Sequence, residues 1–230
     1  MFNIYKKSEH GVSELGWLHS RFHFSFAEYH NPLRLKFGAL RVLNDDVIEP
    51  GTGFGTHPHS DMEIVTYVIN GELTHIDSMG NERVLSRGHV QYISAGSGIT
   101  HSESNNGREK LHLIQMWMLP SQTGLKPNYG DQMFDWQPRV NKWMKLIDGG
   151  LDAPIHIKQD VTIYASYLEE KETLAFELKP KRQLYLVNLE GRVTINGNTL
   201  SAGDAIEVRD ENLNIEAGLD SHMILLEMKS

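Results

Sequence analysis

The chain of 230 residues contains no cysteine, and this absence excludes several kinds of site at once. Disulfides, thiolate metal ligands and cysteine nucleophiles cannot form. Any metal ion that the protein binds must therefore be held by nitrogen and oxygen atoms.

Long apolar runs and a surplus of positive charge are also lacking. No segment approaches the roughly 18 consecutive apolar residues of a membrane span, and the opening MFNIYKKSEHGVSELGW has no apolar stretch like that of a signal peptide. The net charge of −8 argues against direct nucleic-acid binding, which requires an excess of Lys and Arg. We therefore expect a cytoplasmic protein that binds neither membranes nor nucleic acid.

Short apolar segments separated by turn signals dominate the sequence. The dipeptides at positions 70–71, 190–191 and 196–197 (Asn-Gly, Glu-Gly and Asn-Gly) are predicted to form hairpins. A strand is predicted over 37–43, with a turn at Asn44-Asp45-Asp46. Many short strands with such turns predict an all-β protein made of antiparallel jelly-roll barrels.

The two halves of the chain resemble each other in pattern. YVINGELTHIDSMGN…LSRGHVQYISAG in the first half and YLVNLEGRVTINGNTLSAGDAIEVRD in the second alternate apolar strands and glycine turns in the same order. This repeat predicts two barrels of one architecture, over residues 1–132 and 133–230. Ten of the twelve histidines precede residue 113, so we expect a metal site in the N-terminal barrel and none in the C-terminal barrel.

Two pairs of metal-binding side chains stand out, His57 with His59 and His101 with Glu103. Residues two apart in a strand point to the same face. If the two strands are neighbours, three imidazoles and one carboxylate converge on one cavity. That donor set suits a divalent first-row metal ion and leaves positions open for solvent or substrate.

The spacing around these pairs resembles the cupin superfamily. The first cupin motif, G-x5-H-x-H-x3,4-E-x6-G, is matched by Gly51, His57, His59 and Glu63, with Gly71 one residue late. The second, G-x5-P-x-G-x2-H-x3-N, is matched by Gly88, Gly96, His101 and Asn105, with Ser94 in place of the proline and two extra residues before His101.

The strings GFGTHPHSDMEIVTYVING, SAGSGITHSE and GWLHSRFHFSFAEY resemble the pirin family of two-barrel cupins (bicupins), and within it the bacterial pirin-like quercetinases. The resemblance implies an iron site with ligands His57, His59, His101 and Glu103. The general cupin pattern would instead take its carboxylate from Glu63, and strand parity does not separate the two. We expect Glu103 to be the ligand and Glu63 to orient an imidazole. His112 is expected to line the pocket.

The resemblance also implies a function. It predicts a metal-dependent quercetin 2,3-dioxygenase that opens a flavonol ring with release of CO, using O2 and a small aromatic substrate. One divalent ion per chain is expected, Fe2+ first, with Mn, Co, Ni, Cu or Zn as alternatives. Glu103 would also be catalytic, taking the proton of the substrate hydroxyl. The alternative is an iron-binding redox sensor or transcriptional co-regulator that acts through a protein partner.

Overall fold

The computed structural model describes residues 1–150 and 153–230, with 58% of the chain in strands and 3% in helix. The predicted all-β fold is confirmed. The chain divides into two compact units. The N-terminal barrel comprises Gly11–Phe134 and Ile157–Gln159, and the C-terminal barrel comprises Met1–His10, Asp135–His156 and Asp160–Ser230. No helix among the described residues is both long enough and apolar enough to cross a membrane.

The N-terminal barrel contains two antiparallel sheets. Its strands are β2 (Gly11–Glu14), β3 (Leu18–Phe22), β4 (Leu40–Ile48), β5 (Thr52–His59), β6 (Glu63–Asn70), β7 (Leu73–Asp77), β8 (Glu82–Leu85), β9 (His89–Ser94), β10 (Ile99–Asn105), β11 (Leu111–Met118) and β12 (Asn128–Met133). The seven-stranded sheet has the order β12-β9-β6-β11-β4-β3-β2, and the four-stranded sheet has the order β5-β10-β7-β8.

The interior of this barrel changes in polarity along its strands. On β6, Ile64 and Val68 belong to two apolar clusters, and Thr66 lies between them on the same face. Thr66 pairs with Gln91 and with Gln115, and Gln115 pairs with Asn44. A polar row therefore crosses the seven-stranded sheet between the two apolar clusters.

The C-terminal barrel contains the remaining strands and two short 3-10 turns, Lys7–Glu9 and Gln137–Arg139. Its strands are β1 (Phe2–Tyr5), β13 (Met144–Asp148), β14 (Ile155–His156), β15 (Val161–Leu168), β16 (Thr173–Phe176), β17 (Arg182–Glu190), β18 (Arg192–Ile195), β19 (Asn198–Ser201), β20 (Ala205–Arg209), β21 (Leu213–Ala217) and β22 (Ser221–Lys229). The sheets have the orders β1-β20-β17-β22-β15-β13-β14 and β16-β21-β18-β19. The order repeats that of the first barrel, so the predicted internal repeat is confirmed.

The division of the chain differs from the predicted 1–132 and 133–230 mainly at its N-terminus, and also at residues 133–134 and 157–159, which belong to the N-terminal barrel. Residues 1–10 belong to the C-terminal barrel because β1 pairs with β20, with Phe2 opposite Val208 and Ile4 opposite Ile206. Phe2 and Ile4 pack against the apolar cluster of that barrel. Both side chains are partly buried, so exposing each would cost less than the roughly 1.5–3 kcal/mol of a fully buried apolar side chain, but the cost still favours keeping this strand on the C-terminal barrel.

Two of the three predicted hairpins are wrong in a consistent way. Asn196-Gly197 does join a paired hairpin, β18 and β19. Asn70-Gly71 and Glu190-Gly191, however, lead the chain from one sheet to the other in each barrel. Both glycines have φ near +79°, and a Cβ there would lie 2.6 Å from the carbonyl oxygen of Lys110 or 2.0 Å from that of Asp220. The dipeptide correctly indicates a reversal with positive φ, but pairing is decided by the neighbouring sheet.

The predicted turn at Asn44-Asp45-Asp46 is also wrong. These residues lie within β4, which pairs with β3 on one side and β11 on the other. The segment 51–55 contains three glycines, which favour a loop, yet it is largely strand β5. On β4, pairing on both edges outweighs the local turn preference of Asn and Asp. On β5, pairing with β10 along one edge is sufficient to keep the glycines extended.

Candidate metal centre

Two adjacent strands of the four-stranded sheet bring the predicted histidines together. On β10, His101 lies directly opposite His57 of β5, and His59 lies opposite Ile99. A bulge follows between His101 and Glu103 on the β5 side, whereas the pairing with β7 stays regular. The extra residue lies on β5, where the three steps from His57 to Phe54 face the two steps from His101 to Glu103. Such a bulge bends the strand locally and is common beside functional sites.

The three imidazoles are in mutual contact. Their ring centroids are 4.8 Å apart for His57 and His59, 4.5 Å for His57 and His101, and 4.9 Å for His59 and His101. One ring nitrogen from each lies within 4.8 Å of the others. This limit is slightly wider than the roughly 4.2 Å that can separate two ligands of one first-row metal ion, each bound at roughly 2.0–2.1 Å. Small movements of the side chains would therefore bring the three nitrogens within range of one ion.

The protonation of these rings suits metal binding. The Nδ1 of His57 lies 2.8 Å from the Gly55 carbonyl oxygen, so Nδ1–H donates there and Nε2 is left for a metal. Burial, together with the neighbouring imidazoles, lowers the pKa of His59 to about 4 and the pKa of His101 to about 3. Neutral rings offer the lone pairs that a metal ion requires.

His101 gives the clearest test of whether a metal fits. The residue is 1% exposed, and both of its ring nitrogens are buried without a hydrogen-bond partner in the described part of the chain. A buried imidazole in this condition is costly unless a ligand satisfies it. Three convergent nitrogen donors, one of them otherwise unsatisfied, fit a divalent cation.

Glu103 lies beside the three histidines, within a second group of ligand atoms formed with His75 and His101. Its carboxylate is buried and receives side-chain donors from the polar row of the seven-stranded sheet. Gln91 Nε2 donates to Oε1 at 2.9 Å, Gln115 Nε2 donates to Oε2 at 2.7 Å, and the Thr66 hydroxyl lies 3.4 Å from Oε1. Trp117 Nε1 in turn donates to Gln115 Oε1 at 2.9 Å, which orients the amide.

The C-terminal barrel shows that this cradle is not required by the fold. Leu186, five residues before Gly191, corresponds to Thr66, five residues before Gly71. Leu186 pairs with Ile206 and Leu225, as Thr66 pairs with Gln91 and Gln115. Ile215 corresponds to Glu103, because it pairs with Ile195 as Glu103 pairs with His75. The four equivalents are all apolar core residues, so the polar set belongs to the chemistry of the N-terminal barrel.

Glu63 is placed away from the imidazoles. It accepts hydrogen bonds from Tyr92 OH at 2.6 Å, Ser94 Oγ at 2.7 Å and the Lys158 backbone N–H at 3.0 Å. The chain changes sheets between His59 and Glu63, and Glu63 and Thr66 are three residues apart on β6, so they point to opposite faces. The expected hydrogen bond from an imidazole to Glu63 is therefore not among its contacts.

His112 is also not where we expected it. Its Nε2 lies 2.6 Å from Asp45 Oδ1. On β11 it alternates with Leu113, Gln115 and Trp117, which face the barrel interior. The cavity beside the histidines is not lined by His112.

A cavity of about 280 Å³ adjoins the histidines, close to the lower end of the roughly 300–1,000 Å³ range of small-molecule sites. Its apolar walls include Phe22, Phe26, Phe54 and Trp117, and its polar walls include Ser20, Asn44, Asp46, His57, His59, Glu103 and Gln115. On the C-terminal barrel, an open groove of about 640 Å³ has Glu216 as the one ionisable residue among the described residues that line it. Of these two spaces, the cavity of the N-terminal barrel is the one lined by both imidazoles and carboxylates.

Sequence reasoning did not identify Asn44, Asp46, Thr66, Gln91, Gln115 and Trp117 as site residues. One signal was present: Gln91, Gln115 and Thr66 are isolated polar residues within apolar strands. His75 is fully buried, with Nε2 at 3.2 Å from Asp77 Oδ2, and stacks on Tyr129.

The chain is similar to known proteins over almost its whole length. The chain is 41% identical to the quercetin 2,3-dioxygenase of Escherichia coli (strain K12) over 230 residues, which cover 99% of each chain. The chain belongs to the pirin family. The Pirin family model matches residues 5–118, and the model of the quercetinase C-terminal cupin domain matches residues 146–228.

Other pirin relatives extend the comparison. A pirin-like protein of Caulobacter vibrioides is 40% identical over 220 residues, covering 94% of this chain and 95% of that protein. The crystal structure of the bacterial pirin YhhW from Escherichia coli in complex with nickel(II) has a TM-score of 0.93 and 39% identity, covering 100% of this chain and 99% of the other. The predicted family is confirmed, and that relative holds a divalent metal.

Proposed function

We propose that the protein is a metal-dependent dioxygenase that opens the heterocyclic ring of quercetin-like flavonols with release of CO. The observation that carries the proposal is the cluster of three imidazoles beside an aromatic-lined cavity. Two of them, His57 and His59, line the cavity together with the buried carboxylate of Glu103. The relatives that are named quercetin 2,3-dioxygenase support the same substrate class.

His57, His59 and His101 would hold one divalent ion, with Fe2+ as the expected metal. When bound, such an ion supplies a Lewis acid that favours an anionic substrate oxygen and a centre for reaction with O2. We propose Glu103, rather than Glu63, as the carboxylate of the site, because Glu63 is already bound by Tyr92, Ser94 and Lys158.

The protein supplies orientation and a proton acceptor. Trp117 lies edge-on to His59, with ring centroids 4.9 Å apart, and to Phe26 at 5.4 Å. These rings would hold a flat aromatic substrate against the histidines and exclude water. Glu103 is fixed by the amides of Gln91 and Gln115 at the same cavity, where it can accept the proton of a substrate hydroxyl.

Aerobic turnover of quercetin by protein reconstituted separately with Fe(II), Mn(II), Co(II), Ni(II) and Cu(II) tests the proposal. Loss of flavonol absorbance and capture of CO by deoxymyoglobin would be followed together. We expect metal-dependent loss with CO release, absent from metal-free protein and from His57→Ala. His112→Ala is the matched control, because it removes a histidine outside the cavity and should retain both metal and activity.

Retention of full turnover by His57→Ala without bound metal would refute the mechanism. If the protein binds about one ion per chain but turns over quercetin with none of the metals, the metal site would stand and the dioxygenase activity would be rejected. In that case the sensor hypothesis would be tested by partner capture at fixed iron oxidation states.

A further inference from the structure

We propose that Asn44 and Asp46 form a subsite that binds a hydroxyl group of the substrate and selects polyhydroxylated aromatic molecules. The inference deepens the proposed function and rests on it for the identity of the substrate. It concerns residues that the sequence pattern assigned to a turn.

Both side chains face the cavity from one strand. Asn44 and Asp46 are two residues apart on β4 and line the cavity. Asn44 pairs with Gln115 of β11, the residue that donates to Glu103, and Asp46 pairs with Ser20 of β3. They lie on the seven-stranded sheet, whereas His57 and His101 lie on the four-stranded sheet. The hydroxyl they bind is therefore a different one from the oxygen nearest the histidines.

Each residue presents an unsatisfied acceptor. Asn44 and Asp46 are both 4% exposed. Within the described residues, Asn44 Oδ1 and Asp46 Oδ1 are buried oxygens without a hydrogen-bond partner. Buried acceptors of this kind are rare and unfavourable, because most buried polar atoms are paired. Two on neighbouring positions of one cavity wall form a site that awaits a donor.

The chemistry of the wall favours hydroxyl donors over anionic groups. Asp46 and Glu103 are both acids of the same cavity, so a carboxylate or phosphate there would be repelled. Asp46 lies in an environment that raises the pKa of its carboxyl to about 7, chiefly through burial. Either protonation state can accept a hydroxyl hydrogen. The aromatic rings nearby, Phe22 and Trp117 among them, fit the ring that carries the hydroxyl.

A site built to bind a hydroxyl rejects the analogue that lacks it, because its own acceptors then remain unpaired. We therefore expect quercetin, with five hydroxyls, to bind more tightly than 3-hydroxyflavone, with one, by roughly 10- to 100-fold. The preference should depend on Asn44 and Asp46.

Anaerobic equilibrium binding tests the inference without turnover. Metal-reconstituted protein would be titrated with quercetin and with 3-hydroxyflavone, following tryptophan fluorescence, since Trp117 lines the cavity. The ratio of the two dissociation constants is compared between wild type, Asp46→Leu, Asn44→Leu and Asp46→Asn. Asp45→Asn is the matched control, because Asp45 lies on the other face of β4 and contacts His112.

The expected result is a ratio that falls several-fold in each leucine variant, remains largely intact in Asp46→Asn, which keeps an acceptor oxygen, and is unchanged in Asp45→Asn. A wild-type ratio near one overturns the inference without any variant. An unchanged ratio in folded leucine variants overturns it as well. Selective binding without aerobic turnover would support the subsite and reject the dioxygenase activity. Aerobic turnover without selective binding would support the dioxygenase activity and reject the subsite.

Discussion

Replacing Asp46 with asparagine should stabilise the metal-free protein, and the gain should grow with pH. Burial raises the pKa of this carboxyl from 3.8 to about 7, and the charges of Asp45 and Glu103 add to the shift, against a hydrogen bond with Ser20 and the charge of His112. In the unfolded chain the group ionises near its ordinary pKa. The folded state therefore binds more protons than the unfolded state between these two values, and stability falls as pH rises through that window.

The size of the effect follows from the shift. Each pKa unit corresponds to about 1.36 kcal/mol, so a shift of about three units costs the folded state at most about 4 kcal/mol above pH 7 and nothing below about pH 3.8. The amide of the Asp46→Asn variant would carry no charge at any pH. At roughly 2–4 °C per kcal/mol for a chain of this size, the Tm advantage of the variant should widen by up to about 8–16 °C between pH 4 and pH 8.

Thermal unfolding of both proteins would be recorded across that pH range in the presence of a chelator, because a bound cation would lower the pKa of a nearby acid. Other titrating groups cancel in the difference between the two proteins. A Tm difference that is constant with pH would refute the buried, largely protonated state of Asp46. A difference of opposite sign would show that its charge is stabilised in the folded protein.

Three further predictions concern the residues packed around Glu103 and the hydrogen bond from Tyr92 to Glu63. Gly53→Ala would place a Cβ 2.4 Å from the Glu103 carbonyl oxygen, so it should displace β10, lower the free energy of unfolding by about 1–3 kcal/mol and weaken metal binding. Gly55→Ala is the control, because nothing lies within 4 Å of its added Cβ. Thermal melts and metal titrations of this control should match those of the wild type. Gln115→Leu removes a donor from Glu103 and should reduce metal affinity about 10- to 100-fold in chelator competition, and unchanged affinity would argue against Glu103 as a ligand. Tyr92→Phe removes the hydrogen bond to the buried carboxylate of Glu63, which lies outside the histidine cluster. The free energy of unfolding, measured with denaturant, should fall by about 1.5–3 kcal/mol, and metal affinity should not change.

The strands and the histidine cluster could be predicted because their signals are local. Alternation of apolar residues identifies a strand from a few positions, and the spacing of His57, His59 and His101 implies convergence once two strands are adjacent. Strands with little apolar patterning give no such signal: β12 has no fully buried residue, and β19 has one, Leu200.

The remainder of the site depends on pairing between distant segments. Thr66, Gln91 and Gln115 are separated by more than twenty residues in sequence, and only the sheet register aligns them beneath Glu103. Asn44 and Asp46 have strong turn preferences, and the partners that keep them extended are β3 and β11. Glu63 matches a motif position, but the change of sheet before it removes it from the imidazoles.

The pairing of β1 with β20 has a consequence for how the chain could be rearranged. The strands β1, β20, β17 and β22 are neighbours in this order. One row of paired residues crosses them, from Phe2 through Val208 and Leu184 to Glu227. Three inter-strand spacings of about 4.8 Å place the beginning and end of the polypeptide roughly 14 Å apart. A short flexible linker could join Ser230 to Met1, and new termini could be opened between His10 and Gly11. In that circular permutant the first strand of the C-terminal barrel would follow its last strand directly along the chain.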